Sequence, residues 1–173
     1  NFAAADDLFR KLADGLAWEA ARADREVVLS REALDGLARA GLMGMAISAR
    51  YGGTGLDRPS VVSNLERIAR INASAALTCL AHCVVSRAIE TAGREELKEK
   101  VLPGLASGSL LAALAVHESA SGCVSGAIET VAGRRDGHYV LQGSKFFTTN
   151  GTAADLFVVL CRTDPEAGPG GLS

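Results

Sequence analysis

Residues 110–126 read LLAALAVHESASGCVSG. An apolar, strand-like lead-in from Leu110 to Val116 runs directly into His117 and Glu118, then into small side chains broken only by Val124. Such a run builds little core, but it lets backbone pass very close to another group. The same stretch divides the chain. Before about Gly108 apolar residues recur at helical spacing, and after it they fall into short strand-like runs. The expected fold is α+β, with a helical domain over residues 1–108 and a β domain over 109–173.

In the helical part, Leu8, Leu12, Leu16 and Glu19 mark one face of an opening helix rich in good helix formers. Ser30 reads as the N-cap of a helix carrying Leu34, Leu37 and Ala38 and ending near Gly41. The loop YGGTGLDRP (51–59) is a strong breaker cluster. Val61, Leu65 and Ile68 recur at helical spacing, as do Leu77, Leu80, Ala81, Val84 and Ala88. That helix, from about Ser74 to Ala92, is apolar around much of its circumference, so it is expected to be buried on several sides or to line a cavity. Leu97 and Val101 predict one more short helix ending at Pro103.

In the β part, strands are expected at 110–116, 128–132, 138–142 and 156–161, the last buried on both faces and central. GRRDG (133–137) is read as an exposed hairpin turn, on the strength of Asp136-Gly137.

At 173 residues, with 48% hydrophobic and 22% charged residues, the chain has the size and profile of a folded globular protein. A net charge of −2 leaves no electrostatic footprint for nucleic acid or an anionic membrane. No apolar run approaches the ~18 residues of a membrane helix, and the start lacks a signal-peptide pattern. A cytoplasmic protein is expected. The chain begins without Met and stops at GPGGLS without closing a sheet, so it is read as part of a longer protein.

Four scattered cysteines, Cys79, Cys83, Cys123 and Cys161, form no disulfide framework. Cys79, His82 and Cys83 fall at i, i+3 and i+4, but zinc wants a fourth ligand and a paired motif that the sequence lacks. They are read as core residues, and no metal is expected.

Two glycine-flanked segments, LAVHESASGC and GSKFFTTNG, carry the chemistry. Neither is a P-loop, a GxGxxG opening a helix or a GxSxG elbow. Both combine backbone donors and small hydroxyls with flat or apolar residues, which suits a planar heteroaromatic ligand bearing phosphates.

With those segments the chain resembles the acyl-CoA dehydrogenase family of flavoproteins over nearly its whole length. LARAGLMGMAISARYGGTGLD resembles the family's first landmark, ERIARINASAALTCLAH its substrate-side helix pair, and KEKVLPGLASGSLLAALA the crossing into its β domain. HESASGC stands where the family writes T-E-P-x-A-G-S, and GSKFFTTNGTAADLFVVLCRTDP where it writes G-x-K-x-[WF]-[IT]-T-N-G…A-D…TDP.

The resemblance implies an antiparallel, barrel-like middle domain and FAD as cofactor. Leu114, Ala115, Val116 and His117 would then meet the flavin's pyrimidine end, with Gly122 and Cys123 passing the pyrophosphate. Phe147 would stack beside the isoalloxazine, and Thr148 and Thr149 would place polar groups near the hydride-receiving edge. Cys123, Leu77, Leu80, Ala81 and Val84 would line the substrate site.

The implied reaction is α,β-dehydrogenation of an acyl thioester on CoA or a carrier protein. Electrons would pass to an electron-transfer flavoprotein or other acceptor, within a homodimer or homotetramer. The family's catalytic Glu is expected beyond residue 173, in a C-terminal helical domain, so no catalytic residue is assigned. Glu118 matches a Glu that is not the family's base.

His117, Ser119, Cys123 and Val124 depart from the family's Thr, Pro, Ser and Asp. His117 is read as a hydrogen-bonding replacement for Thr, with a titratable group near the flavin as the sharper alternative. A flavin monooxygenase or oxidase of the same fold, and a non-catalytic subunit of a heteromeric dehydrogenase, stay open as alternatives.

Overall fold

The computed structural model describes residues 12–13, 15–22, 25, 30–119, 127–164 and 166–173. Leu8, Gly122 and Cys123 lie outside these, as does most of the small-residue run.

The helical part is built from locally capped elements. Residues 15–22 are helical, and Leu16 is buried in the same cluster as Leu37, Ile68, Ala75 and Cys79. Helix α1 (Arg31–Arg39) starts where the Ser30 hydroxyl accepts from Ala33 N at 3.1 Å. Helix α2 (Arg58–Ala69) is capped by Asp57, which accepts from Ser60 N at 3.0 Å, and α3 (Ala73–Ala92) by Asn72, which accepts from Ala75 N at 2.9 Å. Each cap satisfies an amide that the first helical turn leaves orphaned.

Between α1 and α2 the glycine loop folds back on residues 44–48. Thr54 N reaches Gly44 O at 3.1 Å and Gly55 N reaches Ile47 O at 2.7 Å. A Cβ on Gly53 would meet the carbonyls of Ile47 and Gly44, so only glycine permits this approach.

Helix α4 (Glu95–Ser107) corrects one expectation, because it runs straight through Pro103. The proline forfeits an internal hydrogen bond at an exposed position. The buried stripe of Val101, Leu102, Leu105 and Ala106 continues past it, and that burial outweighs the local penalty. The helix ends at Gly108, which takes the left-handed conformation (φ 74°).

Strand β1 (Ala112–Ala115) follows and pairs with β4 (Leu156–Val159), while β2 (Val131–Arg135) pairs with β3 (His138–Gln142). The β2–β3 hairpin is antiparallel, but β1 and β4 run parallel, a departure from the antiparallel expectation. The turn is also tighter than expected: Gly133, Arg134 and Arg135 belong to β2, leaving Asp136 (φ 47°) and Gly137 (φ 79°) as a two-residue loop. Both central φ angles are positive, as a primed hairpin turn requires. The expected strand 128–132 accordingly begins only at Val131, and every residue of β3 is exposed.

Among the described residues, strand β4 is neither central nor buried on both faces. It pairs among these residues only with β1, and Phe157 remains 45% exposed. Helix α3 packs against β1, so burial is concentrated there, in Ala112, Ala113 and Ala115.

His82 makes that α3–β1 seam. It is fully buried; its Nδ1 accepts from Ala112 N at 3.3 Å, and Nε2 faces the Leu105 carbonyl at 3.1 Å. An amide must donate, so Nδ1 is the bare nitrogen and Nε2 carries the proton. Burial lowers the imidazole pKa, against a smaller upward pull from the Leu105 carbonyl. With both ring nitrogens committed to backbone, His82 has none left for a metal. Burial pushes the neighbouring Cys79 thiol up to about 12 and that of Cys83 to about 11, so both stay protonated core groups.

His82→Leu should destabilise the full-length protein by roughly 2–5 kcal/mol, because it orphans a buried amide and a buried carbonyl. Urea unfolding followed by circular dichroism measures this. Wild type should also lose stability as pH falls below 6.5, because the unfolded chain then takes up a proton that folded His82 resists. The leucine variant should lack that component.

Candidate functional site

The two segments singled out in the sequence come together at the end of β1. Phe146 N donates to His117 O at 2.8 Å, which sets residues 143–150 alongside the segment leaving the strand. Below this contact lies a buried ion pair. Lys145 Nζ donates to Glu118 Oε1 at 2.7 Å and to Val116 O at 3.3 Å, with both charged side chains under a tenth exposed.

Glu118 also accepts from Glu129 N (2.7 Å), Thr130 N (3.0 Å) and the Thr130 hydroxyl (2.5 Å). Burial opposes its charge, but Lys145, the Thr130 hydroxyl and the two amides prevail and hold the carboxyl at about 2. A carboxylate so fully occupied is a structural anchor and a poor proton acceptor.

Above the ion pair, the loop projects a ring. Phe147 is 89% exposed and adopts φ 50°, a conformation uncommon for a bulky residue. Its ring meets His117 edge-on, with centroids 5.6 Å apart and planes at 78°. Thr148 and Thr149 are half-buried, and their hydroxyls find no protein partner among the described residues. Asn150 (φ 69°) closes the loop by donating to Thr78 O at 3.2 Å and to Ala112 O at 2.9 Å. It thereby ties the loop to both α3 and β1.

Leu114, Val116 and His117 are half-buried at this strand end, whereas Ala115 is buried. Leu77, Leu80 and Val84 stand 53%, 44% and 44% exposed on the outer face of α3. Leu80 and Val84 line an apolar groove of about 610 Å³ against Val61, Val62 and Leu65 of α2. Leu77 and Leu80 line an adjoining groove of about 290 Å³. Ala81 lines neither.

Lys145 and Asn150 were not assigned from sequence. A single cation between small and aromatic residues, facing a single anion in a run of small ones, was the available signal for Lys145. Asn150 offered none beyond its place before a glycine, because its two acceptors are backbone carbonyls far away in the chain.

A helical domain sealed onto strands, with an aromatic ring held out beside the seam, defines an α+β protein. The family profile for the acyl-CoA dehydrogenase N-terminal domain matches residues 4–109, and that for the middle domain matches residues 113–173. The chain belongs to the acyl-CoA dehydrogenase family.

It is 40% identical to an acyl-CoA dehydrogenase of Bacillus subtilis (strain 168) over 134 residues, 77% of this chain and 35% of that protein. Among solved structures, butyryl-CoA dehydrogenase from Megasphaera elsdenii superposes with a TM-score of 0.83 at 33% identity, covering 97% of this chain and 46% of that one. An FAD complex of PigA superposes with a TM-score of 0.85 at 28% identity, covering 98% of this chain and 45% of that one. The chain thus spans between a third and a half of the relatives it matches. No helix among the described residues is long and apolar enough to cross a membrane.

Glu118→Gln should destabilise the full-length protein at neutral pH by roughly 3 kcal/mol or more, because it leaves the Lys145 charge buried without its counter-charge. The gap to wild type should narrow as pH falls from 4.5 towards about 2, where wild-type Glu118 itself becomes protonated. Denaturant midpoints across that range check both parts.

Proposed function

We propose that this chain supplies the helical domain (1–108) and the flavin-contacting part of the β domain (109–173) of an FAD-dependent oxidoreductase. The reaction is α,β-dehydrogenation of an acyl thioester, carried on CoA or on a carrier protein. The observation that carries this reading is Phe147: a bulky ring, 89% exposed, on a backbone angle that costs energy to hold. A ring kept there gains nothing for the core. It suits a second aromatic surface laid against it.

The residues present fit FAD. Phe147 offers a ring face, Thr148 and Thr149 offer uncommitted hydroxyls, and the strand end at Leu114, Val116 and His117 is open enough to be touched. When bound, FAD supplies the acceptor for the hydride leaving the substrate's β-carbon. Around it, Phe147 would cover the ring, Thr149 would offer its hydroxyl to the ring edge, and Ala115 and Val116 would supply backbone to hold it. Gly122 and Cys123 are proposed for the pyrophosphate and thioester arm.

Helix α3 is proposed as the acyl-side wall, through Leu77, Leu80, Ala81 and Val84. The Asn150–Thr78 bond supports this, because it fastens the Phe147 loop to the turn of α3 that carries Leu77 and Ala81. Glu118 is not the base, since every direction around its carboxylate is already committed. No base is assigned within the described residues. An electron-transfer flavoprotein or similar acceptor, and assembly as a homodimer or homotetramer, complete the proposal.

The full-length protein should show a flavin absorbance spectrum, and anaerobic addition of its acyl thioester should bleach it. Absence of flavin would favour a non-catalytic subunit. Bound flavin that no acyl thioester reduces would favour oxidase or monooxygenase chemistry. Phe147→Ala should lose its FAD on gel filtration, where dilution strips weakly held cofactor, while its weakened affinity stays measurable by titration at high FAD concentration. Thr149→Ala should retain it yet be reduced a few-fold more slowly in anaerobic stopped flow, the effect of one lost hydrogen bond of roughly 0.5–1.5 kcal/mol. Ala81→Phe should depress turnover of long acyl chains more than short ones, and equal loss across lengths would move the acyl wall elsewhere.

A further inference from the structure

We infer that His117 is a positioning residue for Phe147: its imidazole fixes the pitch of the projecting ring and acts on flavin affinity through that ring. This deepens the reading of Phe147 as the flavin-facing side chain and rests on it. Three other residues of the loop are each pinned by a bond of their own. Lys145 is held by Glu118 and Val116 O, Phe146 by His117 O, and Asn150 by Thr78 O and Ala112 O.

The ring of Phe147, 89% exposed, has no such bond and no core around it. Its one aromatic contact among the described residues is the ring of His117, at 5.6 Å and 78°. That is the edge-to-face arrangement in which the positive rim of one ring meets the face of another. The Phe146–His117 hydrogen bond sets the register that brings the two rings together, so the contact follows from the backbone pairing. A threonine at this place would offer no ring, so the brace needs an aromatic side chain.

A double-mutant cycle on FAD affinity of the full-length protein tests this. It uses His117→Ala, Phe147→Ala, the double variant, and His117→Phe as a replacement that keeps an aromatic edge. His117→Ala should raise the FAD dissociation constant roughly three- to tenfold, the scale of one aromatic pair, and alter the visible circular dichroism of the bound flavin. His117→Phe should restore both. In the Phe147→Ala background, His117→Ala should change affinity little further.

An equal loss in both backgrounds overturns the inference and leaves the flavin-facing reading of Phe147 intact. If Phe147→Ala does not weaken FAD binding at all, that reading fails and the inference falls with it. A second measurement needs no cofactor: para-trifluoromethyl-phenylalanine at position 147, followed by fluorine NMR of the FAD-free protein. Its resonance should shift when His117→Ala removes the neighbouring ring current, and an unchanged resonance overturns the contact itself.

Discussion

The carboxylate of Glu118 is the fixed point of this structure. It sits buried, saturated by two amides, a hydroxyl and the Lys145 ammonium, and it joins the exit of β1 to the residues that lead into β2 and out of β3. A buried charge without partners would cost several kcal/mol, so each of these segments must arrive for the others to be stable. The loop from Gly143 to Gly151 and the strand exit at Val116 and His117 take their places as a consequence. The geometry of the candidate site is therefore set by an electrostatic anchor whose own hydrogen-bonding directions are all taken.

The second constraint is the seam between α3 and β1. His82 and Asn150 both use side chains to satisfy backbone groups across it, His82 on Ala112 and Leu105, Asn150 on Thr78 and Ala112. Hydrogen bonds of this kind make the joint directional where apolar packing alone would let two surfaces slide. The Phe147 loop is tied into the same joint through Asn150, so its position follows that of the joint.

Much of the fold was legible in the sequence, and particular residues show why. Ser30 capped its helix as expected, and Asp136-Gly137 made a two-residue hairpin loop. The change from helical to strand spacing near Gly108 also marks the passage from helix to strand in the structure. The proline rule failed at Pro103, where four buried neighbours carried the helix onward. The strand at 156–159 was misjudged because a continuous apolar run does not say which edge is paired, or whether the pairing is parallel. Lys145 and Asn150 escaped notice because their partners lie tens of residues away.

What the sequence determined by itself was local. Caps, breakers, hairpin turns and the small-residue run are interactions within a few residues, so residue type and spacing suffice to predict them. What only the tertiary structure decided was which distant groups meet: Glu118 with Lys145 and Thr130, His82 with Ala112, and Phe147 with His117. Those meetings depend on how much each side chain is buried once the helices and strands have packed, because burial is what makes an unpaired charge or amide intolerable and so selects its partner. Phe147 makes the same point from the opposite side. The sequence reading put it against a ligand by resemblance, and the packed structure leaves its ring standing in the open.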